Sequence, residues 1–333
     1  MNIGIIGATG AVGKQMLKCI IDMDINYKSL NLYASKNSEG KLVEYKENKY
    51  VVKKTTEVIF KDLDIALFAI SSELSKILYP FAKENNCLVI DNSSAFRLSD
   101  NVPLIIPEVN PEDIKKNKGI IANPNCSTIL MNVAIWEIYK KFGIKRLVVS
   151  TYQAASGAGQ EGMEELELQG QEYYAKQDIK SKNIFGKQYV WNVFSHNSSI
   201  DMNNGYNEEE LKMINETKKI FKDEKLKISV TCVRVPVFRS HCETINITLK
   251  TKATENQIRE TLNDTMGIEI LDDRKNNNFP EPIISSNKYN IYVGRIRKDL
   301  GQEDNIGYEL FISGDQILKG AALNAVQILK EIN

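Results

Sequence analysis

The sequence predicts an α/β protein, with a doubly wound dinucleotide-binding domain followed by a second, α+β domain. Three observations predict it. Short apolar runs recur through the first third of the chain, with helix-period segments between several of them. The first run ends in a glycine turn that opens a helix. Further on, strand-like runs alternate apolar and polar residues, as half-exposed strands do.

The elements follow in order. Asn2-Ile3-Gly4-Ile5-Ile6 reads as a strand, and Gly7-Ala8-Thr9-Gly10-Ala11-Val12-Gly13 as the turn behind it. Val12, Met16, Leu17, Ile20 and Ile21 then fall on one helix face. Glycines allow a tight turn and a close approach to a pyrophosphate, and the helix start supplies N–H donors, so this is a Rossmann-type nucleotide turn. Leu30–Ala34 is the second strand. An NAD site usually places an acid at its tip to bond the ribose 2′-hydroxyl. Here Ser35, Lys36 and Asn37 follow, which favours the 2′-phosphate of NADP.

Leu63–Ile70, Cys87–Ile90, Leu104–Ile106 and Gly119–Ile121 read as further strands of a mainly parallel sheet. Such sheets bind ligands beyond the carboxyl ends of their strands, where the turns at Ser71, Ser93 and Cys126 would lie. A helix after Cys126 ends near Gly143, and a second sheet begins with Arg146–Tyr152. The expected domains are 1–125, for the dinucleotide, and 126–313, with the boundary near Cys126. A C-terminal helix, about 314–333, is expected to return to the first domain. Its first small residues, Gly320-Ala321-Ala322, suit close packing.

Composition narrows the function. The 333 residues carry 43 Lys plus Arg against 43 Asp plus Glu, which gives no support for a nucleic-acid or anionic-membrane partner. No apolar run approaches the roughly 18 residues that span a bilayer. Five cysteines with no CxxC spacing argue against a disulfide framework or a metal site. The reading is a soluble, cytoplasmic protein without a signal peptide.

Cys126 closes the polar turn Asn123-Pro124-Asn125 and starts a helix. Unpaired N–H groups and the helix dipole favour a thiolate there, hence a nucleophile. Packing is the commoner fate of a free cysteine, so the other residues decide. There are two histidines. His241, between two strand patterns, can serve as a base, whereas His196 reads as a surface loop residue. Arg234 can fork onto a carboxylate or pair on a strand face. Arg97, after a serine turn, can hold phosphate or lie solvated. Glu216 and Lys219 share a helix side, as a binding pair or a plain salt bridge. Gln153 ends a strand and can orient a carbonyl. A nucleotide fold with a reactive cysteine suggests oxidation through a thioester.

The chain resembles the bacterial-type aspartate-semialdehyde dehydrogenases nearly end to end. The resemblance rests on the Gly7–Gly13 turn, Asp91–Arg97, Asn123–Thr128, Tyr152–Gly159, Asn215–Ile220, Arg234–His241 and Lys319–Asn324. It implies Cys126 as the thioester carrier, His241 as general acid/base, and Gln153 orienting the thiohemiacetal. Arg234 and Glu216 would hold the amino-acid part of the substrate, and Arg97 and Lys219 its phosphate. Gly7, Thr9, Gly10, Ala11, Val12, Ser156, Gly157 and Gln316 would contact NADP, with Ser35, Lys36 and Asn37 at its 2′ end. The implied reaction interconverts aspartyl phosphate and NADPH with aspartate semialdehyde, phosphate and NADP. It serves lysine, threonine and methionine biosynthesis in a homodimer. The family often has arginine at the position of Asn37 and proline at that of Ser195. Two alternatives remain, an N-acetyl-glutamyl-phosphate reductase and a silent NADP-binding protein. An acetylated amine would leave Glu216 without a cation to pair, and an intact Cys126, Gln153, Arg234 and His241 set would be idle in a silent protein.

Overall fold

The structure is a computed structural model and describes residues 1–332; Asn333, the last residue of the expected C-terminal helix, lies outside the described residues. The chain divides into two compact units, Met1–Asn125 with the segment from Ala321, and Cys126–Gly320.

The first unit carries β1 (Asn2–Ile6), α1 (Ala11–Asp22), β2 (Ser29–Ala34), β3 (Leu42–Tyr45), β4 (Asn48–Lys54), β5 (Ile65–Phe68), α2 (Ser72–Glu84), β6 (Leu88–Asp91) and β7 (Ile120–Ala122). Its sheet has the order β3-β4-β2-β1-β5-β6-β7. Every pair from β4 to β7 is parallel. Parallel strands are covered on both faces, which is why β5 is buried at all its residues and reads as an unbroken apolar run. The C-terminal helix (Leu323–Ile332) packs on α1 and β6.

The glycine turn has a steric cause. Gly7 takes φ +88°, and a Cβ there would meet the Ala69 carbonyl oxygen at 2.2 Å. A Cβ on Gly13 would meet the Gly7 oxygen at 2.3 Å. Gly10 gives α1 no side-chain cap, and its first turn carries no acid. The positive end of α1 is thereby kept for an anion.

Two expectations need correction or addition. Leu104–Ile106 is not a strand. Pro103 and Pro107 bracket it, and one bridge joins Leu104 to Ala122. The Asn110 side chain takes the Ile106 N–H and donates to the Leu104 carbonyl, closing the segment as a loop. The antiparallel hairpin β3–β4 at the sheet edge was not anticipated.

The second unit carries α3 (Cys126–Phe142), β8 (Ile144–Gln153), α4 (Gly159–Tyr174), β9 (Phe194–Ser195), α5 (Glu208–Phe221), β10 (Lys227–Arg234), β11 (His241–Leu249), α6 (Glu255–Asn263), β12 (Ile268–Ile270), α7 (Pro282–Ser285), β13 (Ile291–Lys298) and β14 (Gly307–Gly314). A π-helical turn over Leu318–Ala322 follows in the chain and leads into the C-terminal helix. Its sheet has the order β12-β13-β14-β11-β8-β10-β9. β8 and β10 run parallel, and β11 is antiparallel to β8 and β14. Along β11, buried Glu243, Ile245, Ile247 and Leu249 alternate with half-buried Thr244, Asn246 and Thr248. α3 and α5 cover the sheet, joined by Trp136, Tyr139 and Phe221. No described helix is long and apolar enough to cross a membrane.

Candidate active site

Cys126 is the first residue of α3 and is half-buried. Its position at the helix start gives it the dipole and N–H environment that favour a thiolate. The other cysteines differ. Burial pushes the Cys87 and Cys242 thiols up to about 12 and raises that of Cys232. Gly320 lies against Cys126: a Cβ built on it would approach the Cys126 Cβ to 2.8 Å.

The strand ends β8 and β10 bring two polar side chains together, because Arg234 pairs with Gln153 in the parallel register. Both are buried. Gln153 Nε2 donates to Ser127 Oγ at 3.2 Å and to Glu209 Oε1 at 3.4 Å. Arg234 donates through Nη1 to the Ala154 carbonyl at 3.2 Å and through Nε to Asn197 Oδ1 at 3.3 Å. Its guanidinium lies 5.5 Å from the Phe185 ring centroid, a cation–π distance. Burial lowers its pKa, opposed by Tyr189, Glu209 and Cys126.

His241 begins β11 and is fully buried. Its Nδ1 accepts the Ala154 N–H at 3.0 Å, while Nε2 has no hydrogen-bond partner. Burial first, then Arg234, push its pKa down to about 3, with Glu209 opposing. His196 is not the surface residue expected. It is half-buried, and burial and then Arg234 lower its pKa to about 4.

The turn after β8 is pinned from behind. Ala155 and Ser156 donate backbone N–H bonds to Val237 and Phe238. Gln316 donates to Ser156 Oγ and accepts the Ser240 N–H at 3.0 Å. A Cβ on Gly157 would meet Arg234 Nη1 at 2.8 Å and His241 Nε2 at 3.1 Å.

Glu216 lies on the buried face of α5, with Lys219 half-buried nearly one turn on. In the first unit, Asp91 accepts from the Ser93 N–H and hydroxyl at 2.9 and 2.8 Å. That turn leads to buried Arg97, which donates through Nη2 to the Asn92 carbonyl at 2.7 Å. Ser35, Lys36 and Asn37 are exposed, and Thr9 Oγ1 donates to buried Ser38 Oγ at 3.4 Å, tying that turn to the glycine turn.

The residues around α1 can hold a dinucleotide: an uncapped helix start meets two glycines whose missing Cβ atoms leave the turn tight. Among the described residues no cluster of histidine, cysteine and carboxylates is arranged to hold a metal ion.

Sequence reasoning missed Glu209, Ser127, Tyr189 and Asn197. Glu209 sits seven residues before Glu216 on the same helix, so its inward face was readable. Tyr189 reaches the Gln153 carbonyl with its hydroxyl at 3.0 Å, because the Gln169 carboxamide oxygen accepts the Tyr189 and Val190 N–H groups and fixes an otherwise polar loop. No local pattern signals that.

Residues 2–117 match the family described as semialdehyde dehydrogenase, NAD binding domain, and residues 137–319 match semialdehyde dehydrogenase, dimerisation domain. The aspartate-semialdehyde dehydrogenase of Aquifex aeolicus is 45% identical over 98% of this chain and 96% of its own. That of Bacillus subtilis is 41% identical over 100% of this chain and 98% of its own. The crystal structure of aspartate semialdehyde dehydrogenase II of Vibrio cholerae, complexed with ASA, superposes with a TM-score of 0.95 at 39% identity, covering 99% of this chain and 97% of that one. With both domains matched and relatives of this likeness along its whole length, the chain belongs to the aspartate-semialdehyde dehydrogenase family.

Proposed function

We propose that this enzyme interconverts aspartyl phosphate and aspartate semialdehyde with NADP(H), through an acyl-thioester on Cys126. The observation that carries the reading is Cys126 at the head of α3, half-buried and within electrostatic reach of the Arg234 guanidinium. The relatives' names and the ASA bound to the Vibrio protein support the substrate.

When bound, the nicotinamide accepts or supplies the hydride. The chain's own residues do the rest. Thr9 to Val12 and the α1 N-terminus hold the pyrophosphate, with Gly7 and Gly10 shaping the turn. Ser156, Gly157 and Gln316 take the nicotinamide end. Ser35, Lys36 and Asn37 offer a hydroxyl, a cation and an amide but no carboxylate, which favours NADP over NAD. Arg234 anchors the substrate carboxylate, and Glu216 its ammonium group. The charged amine is the reason to prefer aspartyl over acetylated glutamyl substrates. Arg97 and Lys219 bind the phosphate, and Gln153 orients the reacting carbon. The 126–313 domain is assigned catalysis and homodimer formation, and the 1–125 domain the dinucleotide. Five free cysteines support a reducing, cytoplasmic setting.

The test is the oxidation of aspartate semialdehyde, followed by nicotinamide absorbance with and without phosphate, using NADP and NAD in parallel. Phosphate-dependent turnover, faster with NADP, is expected. Turnover that ignores phosphate overturns the reaction, and equal rates with NAD overturn the cofactor preference.

A further inference from the structure

The residue just before His241 has an unusual backbone. Ser240 takes φ +72°, in the left-handed region that side chains rarely adopt and glycine enters freely. It is also fully buried. A residue persists in such a conformation only where its surroundings over-determine it.

Here they do. The Ser240 N–H donates to Gln316 Oε1 at 3.0 Å. Its hydroxyl lies 3.0 Å from that of Ser286, the residue that ends α7. Ser286 gives its one hydroxyl proton to the Pro282 carbonyl at 2.7 Å, so Ser240 is the donor between the two hydroxyls. One residue earlier, Arg239 donates through Nε to Asp315 Oδ2 at 2.7 Å. Asp315 is a fixed anchor: it is fully buried, and its carboxylate also accepts the N–H groups of Asn287, Ile317 and Leu318. The short segment before His241 is thus tied to the loop after β14 and, through the Ser240 side chain, to α7.

The other end of this arrangement is the imidazole. The Ser240 carbonyl hydrogen-bonds the His241 ring, and the Ala154 N–H lies 3.0 Å from Nδ1. A carbonyl can only accept and an N–H can only donate. The first favours the ring with its added proton and the second the ring without it, which suits a group that takes up and returns a proton. The charged neighbours divide likewise. Burial first, then Arg234 on β10 and His196 after β9, disfavour the charged ring, while Glu209 on α5 favours it. The Ser240 carbonyl faces the ring only while the peptide after Ser240 keeps its orientation, and the dihedral angles of Ser240 set that orientation.

We propose that Ser240 is a positioning residue for His241: its hydroxyl bond to Ser286 holds the left-handed turn that aims the Ser240 carbonyl at the imidazole and so fixes the ring's orientation. This rests on the thioester reading above and on the acid/base role that the resemblance implies for His241. Ser240 acts through the ring and not on the substrate.

The test uses the full-length enzyme and two substitutions. Ser240→Gly reaches the left-handed backbone without strain and keeps the N–H bond to Gln316, but it lacks the hydroxyl. Ser286→Ala removes the same bond from the other side. Each variant is expected to lower kcat at least about tenfold, with KM for aspartate semialdehyde and for NADP within about twofold of the unaltered enzyme. The double variant should be no slower than the worse single one, because both remove one bond. Thermal midpoints should stay close to that of the unaltered protein. Unaltered kcat in either variant overturns the proposal, as do losses that multiply in the double variant. A kcat loss that comes with raised KM and a lowered midpoint also overturns it, since that marks a general structural role.

A second arm needs no turnover. The protein is labelled with 13C-histidine, and a His196→Gln variant assigns its two rings. The His241 ring signal should broaden or double in Ser240→Gly as the ring gains a second orientation. A single unchanged line overturns the proposal. Failure of the phosphate-dependent assay, or full turnover in His241→Asn, would sink the reaction reading while leaving this ring readout standing.

Discussion

Gly320 and Cys126 touch backbone to side chain: the space for a Cβ on Gly320 is already occupied by the Cys126 Cβ, 2.8 Å away, and its Cα, 3.2 Å away. The glycine is thus a requirement of the nucleophile's placement. Neither atom it would strike is the far end of a flexible side chain, so relief must come from the α3 backbone.

Gly320→Ala is accordingly expected to displace the first turn of α3. Overpacking of this kind costs about 1–3 kcal/mol. Activity should fall at least about tenfold, since small misplacements of a reacting group are costly. Denaturant melts and steady-state rates check both. Wild-type activity in this variant would show that the close approach is dispensable.

The two histidines make the fold acid-sensitive. Their folded pKa values are pushed down, to about 3 for His241 and about 4 for His196, from an unfolded value near 6.5. A depressed value means the unfolded state binds more protons in that window, so stability is lost as pH falls from about 6.5. Urea unfolding midpoints at pH 7, 6 and 5 should decline, and His196→Gln should make the decline shallower. A midpoint that is flat over this range in the unaltered protein contradicts the assignment.

Glu243 acts in the opposite sense. It is fully buried on β11 with both carboxyl oxygens unpartnered, and burial, then Glu209, raises its pKa well above the usual carboxylate range. The folded state then holds a proton that the unfolded state releases above about pH 4.5, so this residue withdraws stability as pH rises. Glu243→Gln keeps the shape and removes the titration. The variant should gain stability at pH 8 relative to the unaltered protein, with little gain at pH 4. A loss at both pH values would show that the ionised carboxylate is needed.

The legible parts of the molecule were those where one local cause suffices. β1, β5 and β6 are buried runs of the parallel sheet, and the glycine turn reports its own steric need. The β3–β4 hairpin was invisible because it lies at an edge with its charged residues outward, and its turn places Lys46 at φ +51° without a glycine. Leu104–Ile106 looked like a strand because burial, not pairing, made it apolar. Cys126 and Gln153 are readable as candidates from their places at a helix start and a strand end, and Arg234 and His241 from their side-chain chemistry. The polar support behind them is legible only at Glu209, through its helix spacing to Glu216, because Tyr189 and Asn197 reach the site across the fold rather than along the sequence. His196 was misjudged for the same reason: its loop is polar, but the β9–β10 pairing turns it inward toward Arg234.

The central claim is the covalent role of Cys126. Its direct test is a single-turnover reaction with aspartate semialdehyde and NADP in the absence of phosphate, quenched in acid and read by peptide mass. The account predicts a burst of NADPH with one acyl group on the Cys126 peptide, discharged when phosphate is added and absent in Cys126→Ala. Phosphate-dependent turnover with no acyl group on that peptide, or turnover surviving in Cys126→Ala, would contradict it.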